Sequence, residues 1–269
     1  MSLKIQDIAN IIEEFAPIKL KEDFDNVGLM VGDAQKEVTS ILIALDCTLD
    51  VIQEASDRGC NLIISHHPLL FKRPSSITTE TILGKKIISL IKNDISLYSS
   101  HTNLDATKDG INDIIMSLLD FKNYEIISPN KNSTDNFTGL GRMATLSTPV
   151  TLDELCDRVK DSLDIISLKY IGDEKKLIKK VAVINGSGND FLIKAKELGA
   201  ECIITGDTTY HYASDLAEEG ICLIDAGHFH TEWPGMQIVG KWLKNRIKLM
   251  GHNIEIIPSN KTVCPYKYK

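Results

Sequence analysis

No two of the six cysteines, Cys47, Cys60, Cys156, Cys202, Cys222 and Cys264, form a Cys-x-x-Cys pair. That removes the usual thiolate zinc and dithiol redox motifs and fits reduced, mostly buried thiols. No apolar run approaches the ~20 residues that a membrane-spanning helix needs. Met1 to Pro17 alternates charged and apolar residues where a signal peptide would carry an apolar core, so a cytoplasmic protein is expected. Positive charge is in deficit: 30 Lys and Arg stand against 37 Asp and Glu, for a net charge of -7. Without an overall basic field to draw in phosphate backbones, extended nucleic acid is not an expected partner. No coiled-coil repeat or other oligomerisation signal is legible. What remains is the balance of a soluble globular protein, 43% hydrophobic and 25% charged over 269 residues, enough for one large domain or two of ordinary size.

Leu62-Ile63-Ile64-Ser65-His66-His67-Pro68 carries the first chemical signal. The apolar run suits a buried strand, and Pro68 cannot donate to a sheet ladder, so the strand should end there with two imidazoles at its carboxyl end. Ligands of open α/β sheets collect outside those ends, and neutral imidazole is the commonest metal ligand. The plainer alternative is that adjacent side chains point to opposite faces, leaving one histidine buried and the other solvated.

Around this strand the pattern alternates. Residues 3 to 15 have helical spacing, with Ser2 as a plausible N-cap. Ile41 to Leu45 reads as a buried strand, Asp50 to Arg58 as a helix closed by Gly59, Ile82 to Lys92 as a helix, and Ile95 to Tyr98 as a strand running into His101. This βαβ pattern predicts an α/β fold. Ser128 to Asn136 is the strongest loop signal, and the junction between an N-terminal α/β half (1-128) and a C-terminal one (137-269) is placed there.

The second half repeats the first. Val181 follows Ile41 by 140 positions, and Gly199 follows Gly59 and Cys202-Ile203-Ile204-Thr205 follows Leu62-Ile63-Ile64-Ser65 at the same offset. The strand Ile221 to Ile224 matches Ile95 to Tyr98 at an offset of 126. Two βαβ units can look alike by chance, but both halves end this last strand in a histidine followed four residues on by a carboxylate: His101 with Asp105, and His228 with Glu232. Pro234 argues against one helix face carrying the second pair. It suits the first position of a helix, which would leave Glu232 in the loop before a helix N-terminus, with Asp105 placed equivalently.

His66, His67, Asp105, His228 and Glu232 offer mixed nitrogen and oxygen ligation, which suits two borderline or hard divalent ions. His101 is a further ligand or a partner of one. Together with Asp25-Asn26-Val27-Gly28-Leu29, Gly186-Ser187-Gly188, Thr205-Gly206-Asp207, Tyr210-His211 and Gly227-His228-x-x-Thr231-Glu232, these residues give the chain a resemblance, over nearly its whole length, to a family of dinuclear-metal proteins, the GTP cyclohydrolase 1 type 2 homologues, also called Nif-three-like. The resemblance implies that His66, His67, Asp105, His228 and Glu232 are the metal ligands, Glu232 bridging two divalent ions per chain, for which manganese, iron, zinc, nickel and magnesium all qualify. It further implies two intertwined α/β halves with a strand-end metal site between them, a ring-shaped homohexamer, and hydrolysis of a small-molecule or nucleotide substrate such as GTP, with opening of the purine ring and loss of formate. A metal-binding regulatory or interaction protein without turnover is the alternative.

Tyr210, His211 and His101 are the candidate acid/base residues, with capping and packing as an equal reading of the first two. Gly186-Ser187-Gly188 reads as an anion-binding turn or a plain strand-to-helix turn. Asp25 and Asn26 read as turn formers, and His230 departs from the family pattern.

Overall fold

The structure, a computed structural model, describes residues 2–267 and 269. In chain order the elements are α1 (Ile5–Phe15), β1 (Gly28–Val31), β2 (Ser40–Ala44), α2 (Leu49–Asp57), β3 (Leu62–Ser65), α3 (Ile82–Lys92), β4 (Ser96–Ser99), α4 (Thr102–Ala106), α5 (Ile111–Leu118), β5 (Tyr124–Pro129), β6 (Gly139–Thr151), α6 (Leu152–Leu163), β7 (Lys169–Ile171), β8 (Leu177–Ser187), α7 (Leu192–Glu197), β9 (Cys202–Gly206), α8 (Tyr210–Glu218), β10 (Cys222–Asp225), α9 (His228–Leu249) and β11 (Glu255–Pro258). They form an α/β fold of two compact units: Met1–Leu104 with Met236–Val263, and Asp105–Gly235 with Cys264–Lys269. The loop signal that starts at Ser128 lies inside the second unit, where residues 130–138 join the antiparallel strands β5 and β6. Among the described residues no helix is long and apolar enough to cross a membrane.

The first unit holds a five-stranded sheet in the order β1-β4-β3-β2-β11, with only β1 antiparallel to its neighbour. Its three central strands are buried along their whole length, as the apolar runs of β2 and β3 require. The helix α2 is started by the Thr48 hydroxyl, which accepts from the Val51 N–H at 3.1 Å, and buries Val51, Ile52 and Ala55. Glu54, on the same face, is also buried. Its carboxylate accepts from Ser259 Oγ (2.5 Å), Asn260 N (3.1 Å) and Lys261 N (3.3 Å), fastening the segment after β11.

The second unit holds a six-stranded mixed sheet in the order β5-β6-β8-β9-β10-β7, whose β8, β9 and β10 are parallel. Its pairing repeats that of the first sheet. Ile41 faces Leu62 and Val181 faces Cys202, both partners displaced by 140. Leu62 faces Ser96 and Cys202 faces Cys222, the second partner displaced by 222 − 96 = 126. The offsets read from the sequence are therefore register-true.

Three local expectations fail. The first helix begins at Ile5, not Leu3, and its opening turn is closed by Asp7, whose carboxylate accepts from the Lys4 N–H at 2.7 Å, rather than by Ser2. Asp105 lies inside α4 and not ahead of a helix. The last long helix starts at His228 and runs through Pro234 to Leu249. Proline there removes one helical hydrogen bond, to the His230 carbonyl. The Thr231 hydroxyl, bonded to Gly227 O (3.1 Å) and His228 O (2.9 Å), ties down the turn before it. His228 and Glu232 consequently share a helix face after all.

Candidate metal centre

In the first unit the strand β3 stops at Ser65, so His66 and His67 follow in a bend and are not held to opposite faces. The Ser65 hydroxyl bonds the His67 carbonyl at 2.9 Å and shares a second 2.9 Å contact with Ser99 Oγ on β4. His101 arrives just beyond the end of β4. The three rings gather, with centroids 5.1, 5.1 and 5.6 Å apart, and one ligand atom from each lies within 4.8 Å of the others.

Each ring is tied at Nδ1 to an oxygen: His66 to the Ser100 carbonyl (3.0 Å), His67 to Asp46 Oδ1 (2.9 Å) and His101 to Asp25 Oδ1 (2.9 Å). A carbonyl or carboxylate only accepts, so each Nδ1 donates and the neutral ring carries its lone pair on Nε2. That is the tautomer a metal ligand uses. Asp25 is itself locked, its Oδ2 accepting from Thr102 N (3.1 Å) and Thr102 Oγ1 (2.5 Å). Burial alone would raise the Asp25 carboxyl; the hydrogen bond and charge of His101, with the Thr102 contacts, outweigh it and hold the group down at about 2.

In the second unit, α4 presents Asp105 and the first turns of α9 present His228 and Glu232. His228 Nε2 lies 3.0 Å from Glu232 Oε2, and His228 Nδ1 is held by Asp207 Oδ2 at 2.8 Å. Asn185, at the end of β8, spans two carboxylates with one amide nitrogen: Asp105 Oδ1 at 2.8 Å and Glu232 Oε1 at 3.3 Å. All three side chains are buried. The next residue, Gly186, has φ of +59°, and a Cβ there would fall 2.1 Å from Glu232 Oε1 and 3.4 Å from His228 Nε2. Its N–H bonds Thr231 Oγ1 at 2.9 Å. The Gly186-Ser187-Gly188 stretch thus leaves room for the Glu232 carboxylate.

These surroundings fit a divalent cation. Nitrogen and oxygen donors without thiolate suit borderline or hard ions.

The structure brings His66, His67 and His101 together in one unit, and Asp105, His228 and Glu232 in the other. Tyr210 and His211 open α8, exposed, with their rings edge to face at 5.6 Å. His230 is half-buried beside Phe229, and burial pushes its imidazole down against the opposing pull of Asp164 and the Ala226 backbone. Sequence reasoning missed Asp46 and Asn185, quoted Asp207 within a motif without giving it a role, and read Asp25 as a turn former. Asp46 lies two residues past β2, Asn185 two residues before the end of β8 and Asp207 one residue past β9, so nearness to a strand's carboxyl end, the signal that singled out the histidines, could have found them.

The profile described as Duf34/NIF3 (NGG1p interacting factor 3) matches residues 3–265. The GTP cyclohydrolase 1 type 2 homolog of Clostridium acetobutylicum is 55% identical over 269 residues, covering 100% of both chains. Among solved structures, a Staphylococcus aureus hypothetical protein superposes with a TM-score of 0.91 at 32% identity, and a Bacillus cereus protein related to NIF3 with 0.93 at 26%, each over 100% of both chains. Full-length matches of sequence and of fold thus converge, and the chain belongs to the DUF34/NIF3 family.

Proposed function

We propose that this protein is a metal-dependent hydrolase of a nucleotide-like small molecule. His66, His67, Asp105, His228 and Glu232 would hold two divalent ions. The observation that supports this best is common to both units: imidazoles whose Nδ1 atoms are tied to oxygen, so that Nε2 is the ligating atom. Divalent ions so held supply an acidified water and polarise the group under attack. Asp46 and Asp207 orient His67 and His228, and Asn185 sets the spacing of the two carboxylates. His101, braced by Asp25, is a further ligand or a proton carrier beside the pair. The cytoplasm suits six cysteines without a disulfide.

The name carried by the Clostridium relative makes GTP the first substrate to try. Metal-loaded protein is assayed against a nucleotide panel beside His66→Ala, with metal content measured by elemental analysis. Two metal equivalents per chain, turnover of a nucleotide and loss of that turnover in the variant are expected. Metal binding without turnover of any nucleotide favours the second reading, a metal-binding regulatory protein, which the family's description as an interacting factor suggests. Loss of the metals on dialysis would sink both. The assembly is a homohexamer, so light scattering should return about six times the 29.9 kDa chain mass.

A further inference from the structure

The second unit has a cleft of about 460 Å³ that contains none of the candidate metal ligands. It is of ligand-binding size. Its floor is aliphatic, with Leu223 of β10 and alanines of α8, and two tyrosines line it, Tyr170 on β7 and Tyr210 at the start of α8. Both rings are open to solvent, 43% and 79% exposed, and the Tyr170 hydroxyl is anchored by donating to Glu174. Aromatic faces left in water beside an aliphatic floor suit a planar ring that stacks on them.

The cleft also carries polar groups. The Thr208 hydroxyl oxygen is buried and makes no hydrogen bond among the described residues. A buried hydroxyl without a partner costs stability, and a ligand atom that bonds it recovers the loss. Beside it Asp225, 4% exposed, accepts from Thr208 N (3.2 Å) and Gly227 N (3.1 Å) and pairs with Lys169 at 2.8 Å. Thr208 directly follows Asp207, the residue that holds His228, and Gly227 directly precedes His228. The cleft is therefore joined by single peptide steps to residues of the second unit's candidate ligand group.

We infer that this cleft is a binding subsite for a planar nitrogen heterocycle of nucleobase type, stacked against Tyr170 and Tyr210 and hydrogen-bonded to Thr208 Oγ1. The inference rests on the hydrolase reading for the reaction it would serve, while binding in the cleft needs no metal. That separates the two in experiment.

Full-length protein stripped of metal by chelation is titrated calorimetrically with the four ribonucleoside 5′-monophosphates and with ribose 5-phosphate. At least one nucleotide should bind, and ribose 5-phosphate, lacking the ring, should bind at least about tenfold more weakly. Tyr210→Ala should cost that nucleotide roughly tenfold, whereas Tyr210→Phe, which keeps the aromatic face, should match wild type. Thr208→Val, which keeps the shape and removes the hydroxyl, should change the ranking of the four bases. Tyr210 is largely exposed, so unfolding of the variant is not expected, and a thermal melt checks it. Absence of binding by all four nucleotides, equal binding of ribose 5-phosphate, or an unaffected Tyr210→Ala variant would overturn the inference. If the metal reading fails instead, the loaded protein loses its ions while ring binding and its dependence on Tyr210 persist.

Discussion

Gly186→Ala tests the second unit's ligand group without touching a ligand. At φ of +59° an alanine pays a left-handed penalty of about 1–2 kcal/mol. Its methyl also lands 2.1 Å from Glu232 Oε1, far inside van der Waals contact, so Glu232 must move away from Asn185 and His228. Displacing a carboxylate that two neighbours position should weaken metal binding by roughly 10- to 100-fold. Gly220→Ala is the control. Gly220 lies in the same unit at φ of +71° with nothing within 4 Å of the place its new methyl would occupy, so it carries the backbone penalty alone. Both variants should melt a few degrees below wild type, about 2–4 °C per kcal/mol for a chain of this size. Only Gly186→Ala should also lose metal affinity, read by competition with a chromophoric chelator. Equal metal affinity in Gly186→Ala and Gly220→Ala would refute the assignment of Glu232 as a ligand held in that cradle.

Asn185→Leu removes the one amide shared by Asp105 and Glu232. Metal-free protein should be destabilised because two buried carboxylates lose their common donor, and bound metal should restore more stability to the variant than to wild type; equal metal-induced shifts in melting temperature would count against a shared role. Burial alone would raise the carboxyl of Glu54, but its bonds from Ser259, Asn260 and Lys261 and the charge of Arg58 bring it below its ordinary value of 4.5. A depressed folded value means the stabilisation is present above 4.5 and fades as pH falls through the folded value, so between about pH 6 and pH 3 wild type should lose more melting temperature than Glu54→Gln. Parallel curves for the two proteins would remove Glu54 as the clasp.

The strands that carry the histidines were legible because buried parallel strands are continuous apolar runs, and the repeat was legible because its two offsets are those of the sheet registers. The extent of α3 followed from helical spacing alone, and the structure adds the Thr81 hydroxyl that caps it. The start of α9 was not legible. Local propensity at Pro234 pointed to a later start, while the hydrogen bonds that hold the earlier turns, from the Thr231 hydroxyl to Gly227 O and from His228 Nδ1 to the Asp207 carboxylate, join residues far apart in sequence or bind the turn to itself. For the same reason Asp25 passed as a turn former. Its partners His101 and Thr102 lie 76 and 77 residues away. The strand β11 is short, and its place beside β2 is a long-range pairing that no local pattern announces.

That pairing sets an order on synthesis. Ile256 pairs with Ile41, 256 − 41 = 215 residues earlier, whereas the sheet of the second unit is complete once Asp225 has been made. At about 5–20 residues per second the ribosome needs roughly 10 to 40 seconds to deliver the last strand after β2 has emerged. For that interval β2 presents an apolar edge with an unmet ladder. The unit encoded second can therefore close before the unit encoded first.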